Sequence, residues 1–168
     1  MNISAFRSAL ILIIFTISMT ASAGEKFYVR ADSVRIEHDN VRLKMSVWNC
    51  SESPVNTQLA YLPWGEHAIG LIAYAAGQMS GQAFSQVTYI EDFPGKDVLI
   101  PTNSSVTNEI NLSRLFPKLS GYKYMKDVVI FWVYDKGLLD HSSSNYVGGM
   151  IQVLPTNQIF TSPSNPCK

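Results

Sequence analysis

An all-β chain folded as an antiparallel, immunoglobulin-like β-sandwich is what this sequence predicts, with a small closed β-barrel as the alternative. Three observations carry that prediction. Apolar and polar residues alternate with period two, most cleanly at Val41, Leu43, Met45 and Val47 between Arg42, Lys44 and Ser46. Clusters of Gly, Pro, Asn and Asp punctuate the chain about every 8 to 12 residues, enough for about seven to nine short strands. No long segment repeats its apolar residues at helical spacing.

Residues 1–23 stand apart from this pattern. Met1 to Arg7 carries one positive charge, Ala9 to Ser18 is an apolar run, and Ala21-Ser22-Ala23 supplies small residues, which together read as a signal peptide cut before Gly24. The run is about ten residues, half the roughly 20 that span a bilayer, and no Cys stands near the cut to accept a lipid. The expectation is an exported protein, periplasmic or secreted, with no membrane insertion after the signal is removed. The remainder divides into a β-sandwich domain at 24–154 and a Pro-rich tail at 155–168. A domain of about 150 residues buries roughly 68 to 70 % of its unfolded surface, so one core suffices.

Within the domain, Phe27 to Glu37 and Val41 to Val47 flank the turn cluster His38-Asp39-Asn40 and read as an antiparallel hairpin. Pro54 cannot donate to a ladder and ends the second strand. Gln58 to Leu62 can extend again, and Ala68 to Ala76 is a short apolar run bounded by glycine, read as a strand. Ala83 to Glu91 alternates and is expected to be a strand covered on both faces. Phe93 to Asp97 is a turn, followed by strands at Val98 to Ile100 and Val106 to Leu112. Arg114 to Tyr124 contains Pro117 and Gly121 and reads as a connection with room for one helical turn. Asp127 to Asp135 is apolar throughout and bounded by charge, the signature of a central strand packed on both faces. Tyr146 to Leu154 is the last strand, in which Gly148-Gly149 marks a bulge or a close approach. The tail beyond has no periodicity, and its only expected tether is Cys167.

Charge excludes some partners. Thirteen basic side chains balance thirteen acidic ones, and the basic residues are scattered singly from Lys26 to Lys168. Nucleic acid and anionic membrane both require a concentrated basic face, so neither is expected. The two cysteines, Cys50 and Cys167, allow one internal pairing in an oxidising compartment. That bond would close a loop of more than about 100 residues and stabilise by roughly 4 to 5 kcal/mol. Two free thiols or an intermolecular bond are the alternatives.

Catalytic signatures are sparse. No G-x-S-x-G elbow, G-x-G-x-x-G loop, P-loop or H-E-x-x-H helix occurs. His38, His67 and His141 fall far apart in turns or loops, and the cysteines lack ligand spacing, so no metal or other cofactor is expected. Glu91, Asp92 and Asp97 flank one turn and read as solvated strand ends. Asn49, Asn103 and Asn111 each begin an N-x-Ser sequon, which matters only where secreted proteins are glycosylated. The aromatic residues Trp48, Tyr61 and Trp64, with His67, form the candidate binding patch, because Pro63 and Gly65 fix the backbone there and Trp and Tyr dominate binding hot spots.

The runs VRLKMSVWNCSESPV, LPWG and FPGKDVLIPTNSSVTNEINLSRLF resemble the immunoglobulin-like accessory domain that precedes the catalytic domain of deuterolysin-type, peptidyl-lysine-specific metalloendopeptidases. The resemblance spans about residues 41–116, implies the sandwich fold, and implies an accessory or binding role. Cys50 stands inside the Asn-x-Ser-x-x-Pro-Val motif, and no peptidase segment is present from which a catalytic residue could be carried over. The expected function is an exported, non-enzymatic binding protein that recognises another protein, of inhibitor or immunity type. An envelope or adhesive structural subunit is the alternative, and an enzyme with an unrecognised site the third.

Overall fold

The alternating segment around Val41 forms the centre of one sheet. In the computed structural model, which describes residues 25–38, 40–65, 68–75, 82–88, 95–124, 128–142, 144–154, 156–160 and 164–167, strand β1 (Phe27–Glu37) pairs antiparallel with β2 (Asn40–Asn49) as the expected hairpin. Residues 1–23, His67, Glu91 and Asp92 lie outside the described residues. The register slips between Ala31 and Ser33, where Asp32 is the extra residue of a β-bulge. Its effect is a change of phase: Phe27 and Val29 point to the core before it, and Val34 after it. Strand β6 (Ser104–Asn111) adds to β2 and β9 (Gln158–Ile159) to β1, giving the order β6-β2-β1-β9.

The facing layer is built from β4 (Ile69–Ala75), β7 (Val128–Asp135) and β8 (Tyr146–Val153), antiparallel in the order β4-β7-β8, with a ribbon of β3 (Val55–Gln58) and β5 (Asp97–Ile100). Leu43, Met45 and Val47 from the first sheet share one buried cluster with Leu71, Ala73, Ile130 and Ile151 from the second. Each Val, Leu, Ile or Met side chain among them stabilises by roughly 1.5 to 3 kcal/mol on full burial. The sheets stay open, so the fold is an antiparallel sandwich and the barrel alternative is set aside.

Several segments depart from the sequence reading. The strand expected from Gln58 begins earlier, at Val55, and gives way at Leu59–Tyr61 to a single 3-10 turn. Residues 82–88 make isolated bonds, Phe84 N–H to the Ala73 carbonyl and Val87 N–H to the Leu115 carbonyl, and form no ladder. They run from the β4 edge at Ala73 to Leu115. The helical turn is α1 (Leu112–Leu115), where the Asn111 side chain accepts from the Arg114 N–H at 3.0 Å, and a 3-10 stretch follows at Pro117–Tyr124.

The tail is held by more than its cysteine. Its two-residue strand β9 pairs with Ser33 and Val34, and the Phe160 N–H reaches the Asp32 carbonyl. Beyond that, Ser164 meets Arg30 and Asn165 meets Asn103 before Cys167 bonds to Cys50, with Cα atoms 4.9 Å apart.

Candidate functional site

The aromatic residues singled out from the sequence fall into separate clusters. Trp48 lies on the outer face of the first sheet, where its indole N–H donates to Ser46 Oγ and the Arg30 guanidinium sits 5.7 Å from its ring. Asp32, turned outward at the bulge, accepts from Arg30 Nε at 2.7 Å and from Ser46 Oγ at 3.1 Å. Trp48 is thus one member of a closed polar network. Tyr61 belongs instead to the second sheet, its carbonyl accepting from the buried Tyr134 hydroxyl at 2.6 Å and its ring meeting His141 edge-on. Burial, and after it the neighbouring Asp135 charge, push the Tyr134 hydroxyl well above the ordinary phenol range.

Trp64 is half-buried and packs against the core. Gly65 makes that turn possible, since a Cβ there would sit 2.3 Å from the Ala60 carbonyl oxygen. His67, the fourth candidate, lies outside the described residues. Asn49, first of the sequon residues, is buried, and its amide donates to the Ser53 and Ile100 carbonyls. It is a structural clamp between β2 and the end of β5.

A surface that the sequence reading did not single out lies on the outer face of β4-β7-β8. The antiparallel registers place Ile72, Phe131 and Met150 in one row across the three strands, 50, 38 and 62 % exposed. In the next row Val133, 46 % exposed, stands between Gly70 and Gly148, and Tyr74 packs edge-on against Phe131. Among the described residues of this face, charge enters at the rim, with Asp135. Its carboxylate is held below the ordinary range chiefly by the Asn145 N–H, 2.7 Å away, helped by Ser144 and the Gly137 N–H. Strand β7 was expected to be packed on both faces. Its inner side, Ile130 and Trp132, is buried, but Phe131 and Val133 are not covered.

Beside this face, a groove of about 580 Å³ separates β1 from β8, lined among others by Tyr28, Ala31, Trp132, Gly149, Met150 and Phe160. At one end Lys26 pairs with Asp140 and Lys136 with Glu25, joining the start of β1 to the turns before β8. At the other end Gln158 bridges the layers: its backbone pairs with Val34 of β1, while its side-chain amide donates to the Gln152 carbonyl and accepts from the Leu154 N–H.

Among the described residues, no three His, Cys, Asp or Glu side chains converge as metal ligands do, and no helix is long and apolar enough to cross a membrane. In comparisons with known proteins the chain matches no family model, and no curated protein is significantly similar to it.

Proposed function

We propose that this chain is an exported, non-enzymatic domain that binds another protein, in the manner of an inhibitor or immunity protein. The observation that carries the reading is the uncovered row Ile72, Phe131 and Met150 with Val133 beside it, a contiguous apolar patch on a regular sheet that, among the described residues, meets charge at its rim. Contiguous apolar patches on soluble domains mark interaction sites, whereas single exposed apolar residues do not. The sheet holds these side chains in fixed register, so little ordering entropy opposes association. The signal-like segment at 1–23, the Cys50–Cys167 bond and the resemblance to accessory immunoglobulin-like domains support export and a binding role.

Site-specific photo-cross-linking tests the reading. With a benzophenone side chain at position 131 or 72, cells that make the protein should yield one cross-linked partner of a different sequence, and the same label at Lys44 on the opposite sheet should not. Equal labelling from the two faces overturns the assignment. The open β8 edge beside the patch favours the second reading, a structural subunit of an envelope assembly, which the same cross-links would reveal as a ladder of regularly increasing mass.

A further inference from the structure

We infer that the groove between β1 and β8 is a strand-acceptor site, and that its occupant is an extended, uncharged segment of about five residues from a partner protein. The inference rests on the protein-binding reading but assigns a second surface, which adjoins the apolar face and shares Gly148 and Met150 with it. Its first ground is the direction of the main-chain groups. Cys50 N–H donates to the Lys26 carbonyl, so along the β1–β2 ladder Tyr28 and Arg30 turn their N–H and C=O groups to β2, whereas Phe27, Val29 and Ala31 turn theirs to the groove. Lys136 N–H donates to the Asn145 carbonyl, and the same alternation turns Gly148 and Met150 of β8 toward the groove from the other side. Among the described residues these outward groups have no main-chain partner. Two facing edges of this kind are satisfied together by one extended backbone lying between them.

The closed end of the groove already holds a miniature of that arrangement. Gln158 makes strand bonds to β1 with its backbone and offers β8 a donor and an acceptor through its side-chain amide, so an amide group fits between the edges there. The floor states the occupant's chemistry. Val29, Ala31, Val147 and Ile151 are apolar, and the one charge of the lining among the described residues, Arg30, is neutralised by Asp32, so a charged occupant would be desolvated without a partner. Trp132, only 8 % exposed, has its indole N–H beside Gly149. Gly149 leaves that N–H open to the groove: a Cβ there would stand 3.0 Å from Trp132 Nε1. A carbonyl of the occupant that reaches this N–H accepts from it.

The test uses the purified, disulfide-bonded protein and a phage-displayed library of uncharged dodecapeptides. Recovered peptides should lack proline in a core of about five residues, and in hydrogen-exchange mass spectrometry they should protect the segments holding Val29 to Ala31 and Gly148 to Met150. N-methylation at alternate residues of a recovered peptide should weaken binding at least tenfold, as should Gly149→Val, while cross-linking from position 131 persists in that variant. Three results overturn the proposal: no peptide recovered, protection elsewhere in the chain, or groove amides already protected in a self-associated protein, which would give the site to a second copy. Loss of cross-linking from position 131 with peptide binding intact would instead overturn the apolar-face reading alone.

Discussion

The outer faces of the two sheets are built on the same alternating pattern and have opposite chemistry. On β1 and β2 the outward positions include Tyr28, Arg30, Lys44, Ser46 and Trp48, with Arg35 and Arg42 both reaching Glu109 on β6, and the tail runs past Arg30 on its way to Cys50. Arg30 Nε and the Ser46 hydroxyl donate to Asp32, the Trp48 indole N–H to Ser46 Oγ, and Arg30 Nη1 to the Ser164 carbonyl of the tail. On β4, β7 and β8 the outward positions are Ile72, Phe131, Val133 and Met150, with no ion pair among them. A face whose polar groups are mostly paired with one another has little to offer a partner, and a face of exposed apolar side chains gains by being covered, at roughly 25 cal/mol per Å² of apolar surface removed from water.

The largest expected effect comes from cutting the strap that ends at the polar face. The double variant Cys50→Ser, Cys167→Ser should lose about 4 kcal/mol of stability in denaturant melts, because the bond closes a loop of sequence separation 117. Partner cross-linking from position 131 should survive in whatever fraction stays folded. A loss below about 1 kcal/mol would mean that β9 and the Arg30 contacts already hold the tail in the unbridged protein.

Phe131→Asp addresses the other face directly. It should weaken partner binding by about 2 kcal/mol or more, roughly thirtyfold, while changing stability by less than about 1 kcal/mol, since the site is solvent-facing. Lys44→Ala, on the polar sheet, should leave binding unchanged. If the two variants behave alike, the contrast between the faces has no functional meaning.

Trp64→Ala decides whether the aromatic corner near Tyr61 is a third surface or part of the frame. Because Trp64 is half-buried against the core, the variant should lose about 2 kcal/mol of stability, less than the 3 to 5 of a fully buried ring, and bind normally. An unchanged melting temperature with weakened binding would return Trp64 to the role that its type and flanking Pro63 and Gly65 suggest.

Much of the fold was legible from alternation alone, because a half-buried strand writes its pattern directly. The β1–β2 hairpin, the strands at Ile69–Ala75 and Val128–Asp135 and the Cys50–Cys167 pairing follow from residue type and spacing. The bulge at Asp32 was also written, as a change from odd apolar positions at Phe27 and Val29 to even ones at Val34 and Ile36, but a hairpin reading does not require that detail. The apolar face was hidden by an ambiguity: the run VVIFWVYD has one composition whether its second face meets protein or solvent, and only tertiary context separates the two. The groove was illegible for a different reason. Its walls come from β1 and β8, at opposite ends of the chain, and its openness depends on where β9 stops, which two residues of strand without periodicity do not announce.

The smallest expected effect is at the end of the groove where the layers meet. Asp140 is partly buried, which raises its carboxyl pKa, but the Lys26 ammonium and Ser142 more than offset this and hold it below the ordinary range. A carboxyl lowered in the folded state contributes stability that is fully present above the unfolded value, near 3.9, and is lost as pH falls through the folded one. Asp140→Asn should therefore cost less than about 1 kcal/mol at pH 7, since Lys26 is largely solvent-exposed and the pair is screened by salt. The difference from wild type should hold down to about pH 5 and shrink below about pH 4, as measured by denaturant midpoints across that range. A difference unchanged at pH 2 would assign the effect to the Asp140 turn, where its carboxylate also accepts from the Ser142 N–H, and would mean that the Lys26 charge does not help hold the two layers together at that end.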